Sequence, residues 1–252
     1  MGGRMSRVAL VTGAGAGVGR AAALRLVRDR QVHTVLVNDI DPDAAERVAS
    51  EVTELGGSGV AAVGDVTSWD TVCSIVESHG PVDVLVNNAG VPLIGAEPIA
   101  FTQTEPDQWE PWLRLNLDAV MYCTRAVLPG MLASRWGRII TVISDAARVG
   151  ESGLAVYSAA KAGAAGFTRA VAREVGRGGI TCNCVALGTL KHGRVAQFIT
   201  EDMERKLLRA YPAARLGTPE DAAAMIAFLA SADSEWITGQ TYPVNGGFSM
   251  AV

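Results

Sequence analysis

The sequence has few of the residue types that build metal sites and disulfide frameworks. It contains only four cysteines, Cys73, Cys123, Cys182 and Cys184, and none of them forms a Cys-x-x-Cys motif. Cys182 and Cys184 would share one face of a strand, but no second pair of ligands accompanies them. The three histidines are scattered along the chain. We therefore expect reduced core thiols and no metal site.

Positive charge is also scarce. The chain has 22 Lys and Arg against 26 Asp and Glu, a net charge of -4, and no basic run that could follow a nucleic-acid backbone. No apolar run reaches membrane-spanning length, and the first residues lack the apolar core of a secretion signal. We expect a cytoplasmic protein that binds neither nucleic acid nor membrane.

Apolar residues are plentiful and follow an alternating order. They make up 49% of the 252 residues, enough for a buried core. Short β-branched runs alternate with longer Ala- and Leu-rich stretches, the pattern of a parallel sheet with helices on both faces. The sequence predicts one α/β domain over residues 1–252, a doubly wound Rossmann-type fold with seven strands. The predicted strands are Val8–Val11, Val32–Val37, Val60–Val63, Val82–Val86, Arg138–Ile143, Ile180–Val185 and Gln240–Val244.

The stretches between these strands predict helices, and one connection is longer than the others. Residues 188–216 have no clear period and are expected to form an irregular substrate-binding loop. The predicted helices are Gly17–Asp29, Pro42–Leu55, Ser68–Ser78, Trp109–Ala133, Tyr157–Arg177 and Pro219–Ala230.

A glycine-rich turn follows the first predicted strand and opens the first predicted helix. It reads Thr-Gly-Ala-Gly-Ala-Gly-Val-Gly over Thr12–Gly19. Glycines permit a tight turn and a close approach of the backbone to a pyrophosphate, which the positive end of the helix dipole attracts. The turn predicts a dinucleotide site.

An acidic residue ends the second predicted strand. Asp39 lies about 20 residues beyond the glycine turn, where a carboxylate accepts hydrogen bonds from ribose hydroxyls. It would repel a 2′-phosphate, no arginine follows it in Ile40 and Asp41, and Ala16 brings no charge to the glycine turn. Asp41 is better placed than Asp39 to cap the next helix. The sequence therefore favours NAD(H) over NADP(H).

Several further segments, taken together, resemble the short-chain dehydrogenase/reductase family over nearly the whole chain. Their order and spacing match that family, including the intervals from Asn116 to Ser144 and from Ser144 to Tyr157. The segments are Thr12–Gly19, Asp65-Val66, Asn87–Gly90, Asn116, Ser144, Tyr157–Lys161, Arg215–Glu220 and Asn245–Gly247.

The resemblance implies a cofactor site along the carboxyl ends of the strands. In the family, the Asp65-Val66 pair contacts the adenine, the Asn88–Gly90 turn lines the floor, and the segment after the sixth strand runs beside the nicotinamide. The implied cofactor-binding residues are Gly13, Ala16, Gly17, Val18, Asp39, Ile40, Asp65, Val66, Asn88, Ala89, Gly90, Tyr157, Lys161, Leu187, Gly188 and Leu190.

Four residues are candidates for the chemistry. Carbonyl reduction needs a proton donor, and Tyr157 can serve if its pKa of about 10 is lowered. Lys161 lies one helical turn further on, where its cation stabilises a phenolate. Ser144, at a strand end, can donate a hydrogen bond to the substrate oxygen. The resemblance alone gives Asn116 a place in a proton relay.

The segment after the sixth strand departs from the family pattern. Leu187 replaces the usual proline, which restores a backbone donor and predicts a more mobile loop, and His192 stands where the family commonly has a threonine. The substrate is expected between the catalytic residues, the Val91–Glu97 loop and residues 188–216, where Lys191, His192 or Arg194 could bind phosphates.

These patterns predict an oxidoreductase that transfers hydride between NAD(H) and a ketone or secondary alcohol. The segment from Ser144 to Gly150 looks like that of family members acting on 3-oxoacyl or cyclic hydroxyacyl-CoA thioesters. A steroid or alicyclic alcohol dehydrogenase is an alternative, and so is a non-catalytic NAD-sensing or scaffold protein. The family implies a homotetramer, or a homodimer, paired through the Trp109–Ala133 and Tyr157–Arg177 helices.

Overall fold

A computed structural model describes residues 7–90, 98–191 and 200–250, apart from the side chain of Met203. All its strands are parallel and form one sheet in the order β3-β2-β1-β4-β5-β6-β7. The predicted seven-stranded doubly wound sheet is confirmed. The strands are β1 (Val8–Val11), β2 (Thr34–Val37), β3 (Ser58–Ala61), β4 (Val84–Asn87), β5 (Gly137–Ser144), β6 (Ile180–Leu187) and β7 (Thr241–Val244).

Helices cover both faces of this sheet. The side chains of Ala9 and Val11 pack with α1, α2 and α9 on one face, whereas Leu10 between them packs with α3, α5 and α7 on the other. This alternation is why the strands are apolar on both sides. The helices are α1 (Gly17–Arg28), α2 (Pro42–Glu54), α3 (Trp69–His79), α4 (Glu110–Leu113), α5 (Ala119–Ser134), α6 (Ala146–Val149), α7 (Ala155–Val175), α8 (Glu201–Leu208) and α9 (Pro219–Ala230).

The strand order reverses between β1 and β4. Val11 of β1 pairs with Val37 on one side and with Val86 on the other, so the turns that follow β1, β2 and β4 emerge at one edge of the sheet. A crevice at the carboxyl ends of the strands, where the order reverses, is the usual ligand site of such sheets.

The predicted helix Trp109–Ala133 is found as an unbroken helical run over residues 110–134, but it is not α-helical throughout. It is divided into α4, a π-helical turn over Arg114–Asp118, and α5. Within the turn, the Nδ2 of Asn116 donates to the carbonyl oxygen of Trp112 at 3.0 Å. The side chain of Asn116 thereby occupies the carbonyl oxygen that its own backbone N–H would bond in an α-helix. Single π turns of this kind occur often at functional sites.

The expectation of an irregular segment over residues 188–216 is also wrong in part, because the helix α8 lies within it. Its first turn is acidic and its last turn is basic, which suits the helix dipole. Leu190 forms a parallel bridge with Gly217, which fixes the segment just after β6. Residues 192–199, including His192 and Arg194, and the Val91–Glu97 loop lie outside the described residues.

One smaller expectation, the cap of α2, is met. Asp41 caps α2 by accepting from the amide of Ala44 at 3.1 Å. The four cysteines are free, and three of them are buried. Within the described parts of the chain, no helix is long and apolar enough to cross a membrane.

Candidate active site

A cavity of about 1660 Å³ opens along the carboxyl ends of the strands. It is lined by every residue that the sequence analysis assigned to the cofactor, and by Ser144. A volume above the usual range of about 300–1,000 Å³ for one ligand leaves room for a dinucleotide and a second molecule. Asn116 does not line the cavity itself but lies fully buried behind it.

The turn after β1 is tied to the turn after β4. The amides of Asn88 and Ala89 donate to the Oγ1 of Thr12 at 3.0 and 3.1 Å. The Nδ2 of Asn88 donates back to the carbonyl oxygens of Thr12 and Gly13 at 2.9 and 3.0 Å. Gly13 has φ +61°, and a Cβ there would lie 3.0 Å from the Cα of Ala89. Only glycine therefore lets the two turns approach so closely.

The Asp39 carboxylate lies beside the glycine turn. Its Oδ2 accepts from the amide of Gly15 at 2.8 Å, and its Oδ1 accepts from the amide of Asp41 at 3.2 Å. The Nη2 of Arg47, on α2, donates to the carbonyl oxygen of Gly15 at 2.9 Å. The sequence analysis considered the residues that follow Asp39 and Ala16 in the glycine turn, and it missed this cation. Arg47 is eight residues beyond Asp39 in the sequence, but it lies on the part of α2 that packs beside the turn.

The Lys161 side chain is 3% exposed, and its Nζ donates to the carbonyl oxygen of Val142 at 2.9 Å. Burial lowers the pKa of this amine to about 8. The Nζ lies 6.0 Å from the centre of the Tyr157 ring. A Cβ added at Gly90 would lie 2.7 Å from the Nζ of Lys161 and 3.0 Å from the Oδ1 of Asn116. The absence of a side chain at Gly90 thus leaves room for both polar atoms beside it.

The Oδ1 of Asn116 is a buried acceptor with no hydrogen-bond partner among the described residues. Its Nδ2 is held by Trp112, so the amide orientation is fixed and the free oxygen is directed toward Gly90 and Lys161. A buried acceptor without a partner costs about 1–3 kcal/mol, so it is retained where a ligand or water can bind it.

Tyr157 is half-buried in the cavity wall, and desolvation raises the pKa of its phenol. A hydrogen bond with Ser144 offsets part of this rise, whereas the charge of Glu151 adds to it. In the polypeptide by itself the pKa of Tyr157 is therefore raised, and the lowering expected from the Lys161 cation does not outweigh desolvation. The raised value keeps the phenol protonated, which is the form that donates a proton.

Asp145, next to Ser144, joins β5 to the C-terminal segment and was missed by the sequence analysis. Its Oδ2 accepts from Asn245 Nδ2 at 2.5 Å and from Ser249 Oγ at 2.9 Å. Its Oδ1 accepts from the Nη1 of Arg148 at 2.8 Å. The carboxylate is 3% exposed, so these bonds fix the strand end that carries Ser144.

The segment after β6 is ordered where it is described. Leu187 is the last residue of β6 and pairs with Ser144 and Val244, so the residue that replaces proline continues the strand. The amide of Thr189 donates to the hydroxyl of Tyr211 at 2.8 Å. Greater mobility further along the loop stays a prediction. The Nζ of Lys191 donates to the carboxylate of Glu204 at 2.8 Å, and its binding to a phosphate stays a prediction.

The match to a family model follows this geometry. Residues 13–249 match the model described as enoyl-(acyl carrier protein) reductase. This chain belongs to the short-chain dehydrogenase/reductase family. Members bind a nicotinamide dinucleotide, and the chain is an oxidoreductase that transfers hydride at CH–OH groups.

Curated relatives align over nearly the full length. One is the 3-oxoacyl-[acyl-carrier-protein] reductase FabG of Pseudomonas aeruginosa, 39% identical with 97% of this chain and 98% of the relative covered. Another is the (2S)-[(R)-hydroxy(phenyl)methyl]succinyl-CoA dehydrogenase subunit BbsD of Thauera aromatica, 37% identical with 98% of both covered.

Solved structures agree with the fold. A 3-oxoacyl-[acyl-carrier protein] reductase from Brucella melitensis superposes with a TM-score of 0.90 at 31% identity, over 97% of this chain and 92% of that one. A putative gluconate dehydrogenase from Agrobacterium tumefaciens reaches the same TM-score of 0.90 at 28% identity, over 97% of both.

Proposed function

We propose that this chain interconverts a ketone and a secondary alcohol with NAD(H), with Tyr157, Lys161, Ser144 and Asn116 as its catalytic group. The observation that carries the proposal is the convergence of the Lys161 ammonium and the unpartnered Asn116 oxygen at Gly90. Lys161 also lies beside the Tyr157 ring. A helix that only packed against the sheet would have no need to bury these polar atoms.

The residues divide the work of reduction. The bound cofactor supplies a hydride to the carbonyl carbon. Tyr157 gives its proton to the carbonyl oxygen as the C=O π bond breaks, so ketone, NADH and one proton become alcohol and NAD⁺. Ser144 donates a hydrogen bond to the same oxygen, and the Lys161 cation stabilises the phenolate that forms. Asn116 holds a water that returns the proton to Tyr157.

The proposed cofactor is NAD(H) rather than NADP(H). The Asp39 carboxylate lines the cavity beside the glycine turn, where it repels a 2′-phosphate and accepts from ribose hydroxyls. The Arg47 cation beside the glycine turn would attract a 2′-phosphate, but its Nη2 already donates to the carbonyl oxygen of Gly15.

The proposed substrates are acyl thioesters that carry a 3-oxo or hydroxyl group. The curated relatives named for 3-oxoacyl-carrier-protein and succinyl-CoA substrates support this class, because they align with the whole chain. The structural neighbour named as a putative gluconate dehydrogenase shows that the fold itself does not choose the substrate.

The experiment is a panel assay of the purified chain. NADH and NADPH oxidation are followed with 3-oxoacyl thioesters, alicyclic ketones, steroids and a sugar acid ketone. We expect NADH-dependent turnover that is fastest with thioesters. If a steroid or alicyclic ketone were turned over fastest, the thioester assignment would be wrong and that ketone class would take its place. NADH binding without turnover of any ketone would favour the sensor or scaffold alternative.

We also propose that the chain forms a homotetramer and that it is located in the cytoplasm. Free cysteines suit a reducing compartment. Large apolar side chains remain exposed on the single chain, among them Leu132 on α5, Phe228 on α9 and Trp236, which is 97% exposed. Light scattering after gel filtration tests the assembly, and a monomer at micromolar concentration would contradict it.

A further inference from the structure

Aromatic side chains are concentrated in the active-site cavity. Aromatic residues make up only 6% of the sequence, yet six of the fourteen line this one cavity. Three of them, Phe101, Trp109 and Trp112, come from the short segment between β4 and the π-helical turn. We call these three residues the aromatic wall. The six are Phe101, Trp109, Trp112, Tyr157, Tyr211 and Phe248.

The aromatic wall begins at the catalytic tyrosine. The ring of Trp112 packs edge-on against the ring of Tyr157, with centroids 5.4 Å apart and planes at 69°. Phe101 stacks on Trp109 with centroids 5.3 Å apart and planes at 26°. The Nε1 of Trp109 donates to the Oγ1 of Thr104 at 3.0 Å, so its polar atom is satisfied within the protein. A ligand therefore meets the faces and edges of rings.

Charge near the aromatic wall does not suit an anionic substrate tail. Glu110 and Glu151 line this part of the cavity. Apart from buried Lys161, the cation that lines the described cavity is Arg114, which is turned to the carbonyl oxygen of Thr67 at 3.2 Å and to Glu110 at 3.7 Å. An uncharged, flat group fits this surface better than a carboxylate or a phosphate.

We propose that the aromatic wall binds a planar ring that the substrate carries on its carbonyl carbon, so that the preferred substrates are aryl ketones of the thioester class. The proposal rests on the proposed function and names its substrate more closely. Trp112 is the deciding residue, because its ring touches Tyr157, the group that must reach the carbonyl oxygen. A ring attached at the carbonyl carbon then lies against Trp112, while the thioester arm extends away.

The backbone of Trp112 has a second role that the test must keep separate. Its carbonyl oxygen holds the amide of Asn116. Substitution of the side chain leaves this bond in place. Trp112→Leu removes the ring and Trp112→Phe keeps one. Trp69→Leu removes a ring that is paired edge-on with Tyr122 outside the cavity lining, and it serves as the matched control.

The experiment compares 3-oxo-3-phenylpropanoyl-CoA with 3-oxohexanoyl-CoA as substrates. We expect kcat/KM to favour the phenyl substrate about tenfold in the native chain, since an edge-on or offset ring pair is more favourable than its buried area alone accounts for. Trp112→Leu should abolish this preference, chiefly through KM, while Trp112→Phe retains most of it and Trp69→Leu all of it. Equal or alkyl-favouring kcat/KM in the native chain would overturn the proposal and leave the proposed function intact.

A binding measurement distinguishes failure of the aromatic-wall proposal from failure of the proposed function. Calorimetry with the phenyl substrate and Tyr157→Phe protein, in the presence of NADH, reports ring binding without turnover. Binding of the phenyl substrate that is about tenfold weaker in Tyr157→Phe/Trp112→Leu than in Tyr157→Phe supports the aromatic wall. This holds even if the native chain turns over no substrate, a result that would count against the proposed function but not against the aromatic wall. Affinity unchanged by the loss of the Trp112 ring would overturn the aromatic wall.

Discussion

The Nζ of Lys161 donates a hydrogen bond to the carbonyl oxygen of Val142, 2.9 Å away, from a position that is almost completely buried. Val142 lies two residues before Ser144 on β5. The bond therefore places the ammonium from α7 against the strand that carries Ser144, and Tyr157 is one helical turn back along α7. The geometry of the catalytic group depends on this contact between helix and strand.

The first prediction concerns pH. Burial lowers the pKa of Lys161 to about 8, so its cation is lost as the pH rises through that value. Without the cation the phenolate left by proton donation is less stable, and reduction slows. We expect kcat/KM for NADH, which reports groups of the free enzyme, to fall above pH 8. A profile that is flat to pH 10 would contradict this assignment.

The second prediction concerns Gly90. Gly90→Ala places a methyl group within 2.7 Å of the Lys161 Nζ and 3.0 Å of the Asn116 Oδ1, so one of them must move. We expect kcat to fall at least about tenfold, because displacement of catalytic groups by about 1 Å can cost a hundredfold. Gly176→Ala, where a Cβ meets nothing within 4 Å, is the control and should leave kcat unchanged. Native kcat in Gly90→Ala would show that the two groups do not act together.

The third prediction concerns cofactor choice. Asp39→Ser removes the charge that repels a 2′-phosphate and leaves Arg47 close to the glycine turn. We expect the ratio of the NADPH association constant to the NADH association constant, measured by fluorescence titration, to rise at least tenfold. The double variant Asp39→Ser/Arg47→Ala should lose part of that gain, since the guanidinium is then missing. A native chain that binds NADPH more tightly than NADH would contradict the reading of Asp39.

The fourth prediction concerns Asp145 and the C-terminal segment. Asp145→Ala removes the buried carboxylate that accepts hydrogen bonds from Arg148, Asn245 and Ser249, so three hydrogen bonds to a charged group are lost together. We expect a loss of about 2–4 kcal/mol in the free energy of unfolding, measured with urea. Ser249→Ala removes one of the three donors to this carboxylate, together with a neutral acceptor for Arg148 and Asn245, and should cost less, about 1 kcal/mol. Equal, small losses in both variants would mean that the network does not hold the segment.

Much of this architecture could be predicted from the sequence, because strands and glycine turns leave local signals. The apolar runs gave β1 to its exact ends, and Asp41 was identified as the cap of α2. β3 lies two residues earlier than predicted, at Ser58–Ala61, because its register against β2 pairs Ser58 with Thr34. Strand limits of this kind depend on the neighbouring strand, which local sequence does not describe.

The features that escaped prediction depend on contacts between distant segments. The π-helical turn arises from the Asn116 side chain and its bond to Trp112, which the helical period of the sequence does not record. Asp145 gains its role from residues a hundred positions further on. The raised pKa of Tyr157 comes from desolvation in the folded chain, which the spacing of Tyr157 and Lys161 in the sequence does not record.

The most direct test of the central claim is the Tyr157→Phe variant. This change removes the hydroxyl that donates the proton and keeps the ring that packs against Trp112. NADH affinity is measured by fluorescence titration, and the rate of NADH oxidation is measured with the best thioester of the panel. We predict NADH affinity within about threefold of the native chain and a loss of at least 10²-fold in kcat, the typical contribution of a positioned acid. Turnover within tenfold of the native rate would contradict the assignment of Tyr157 as the proton donor.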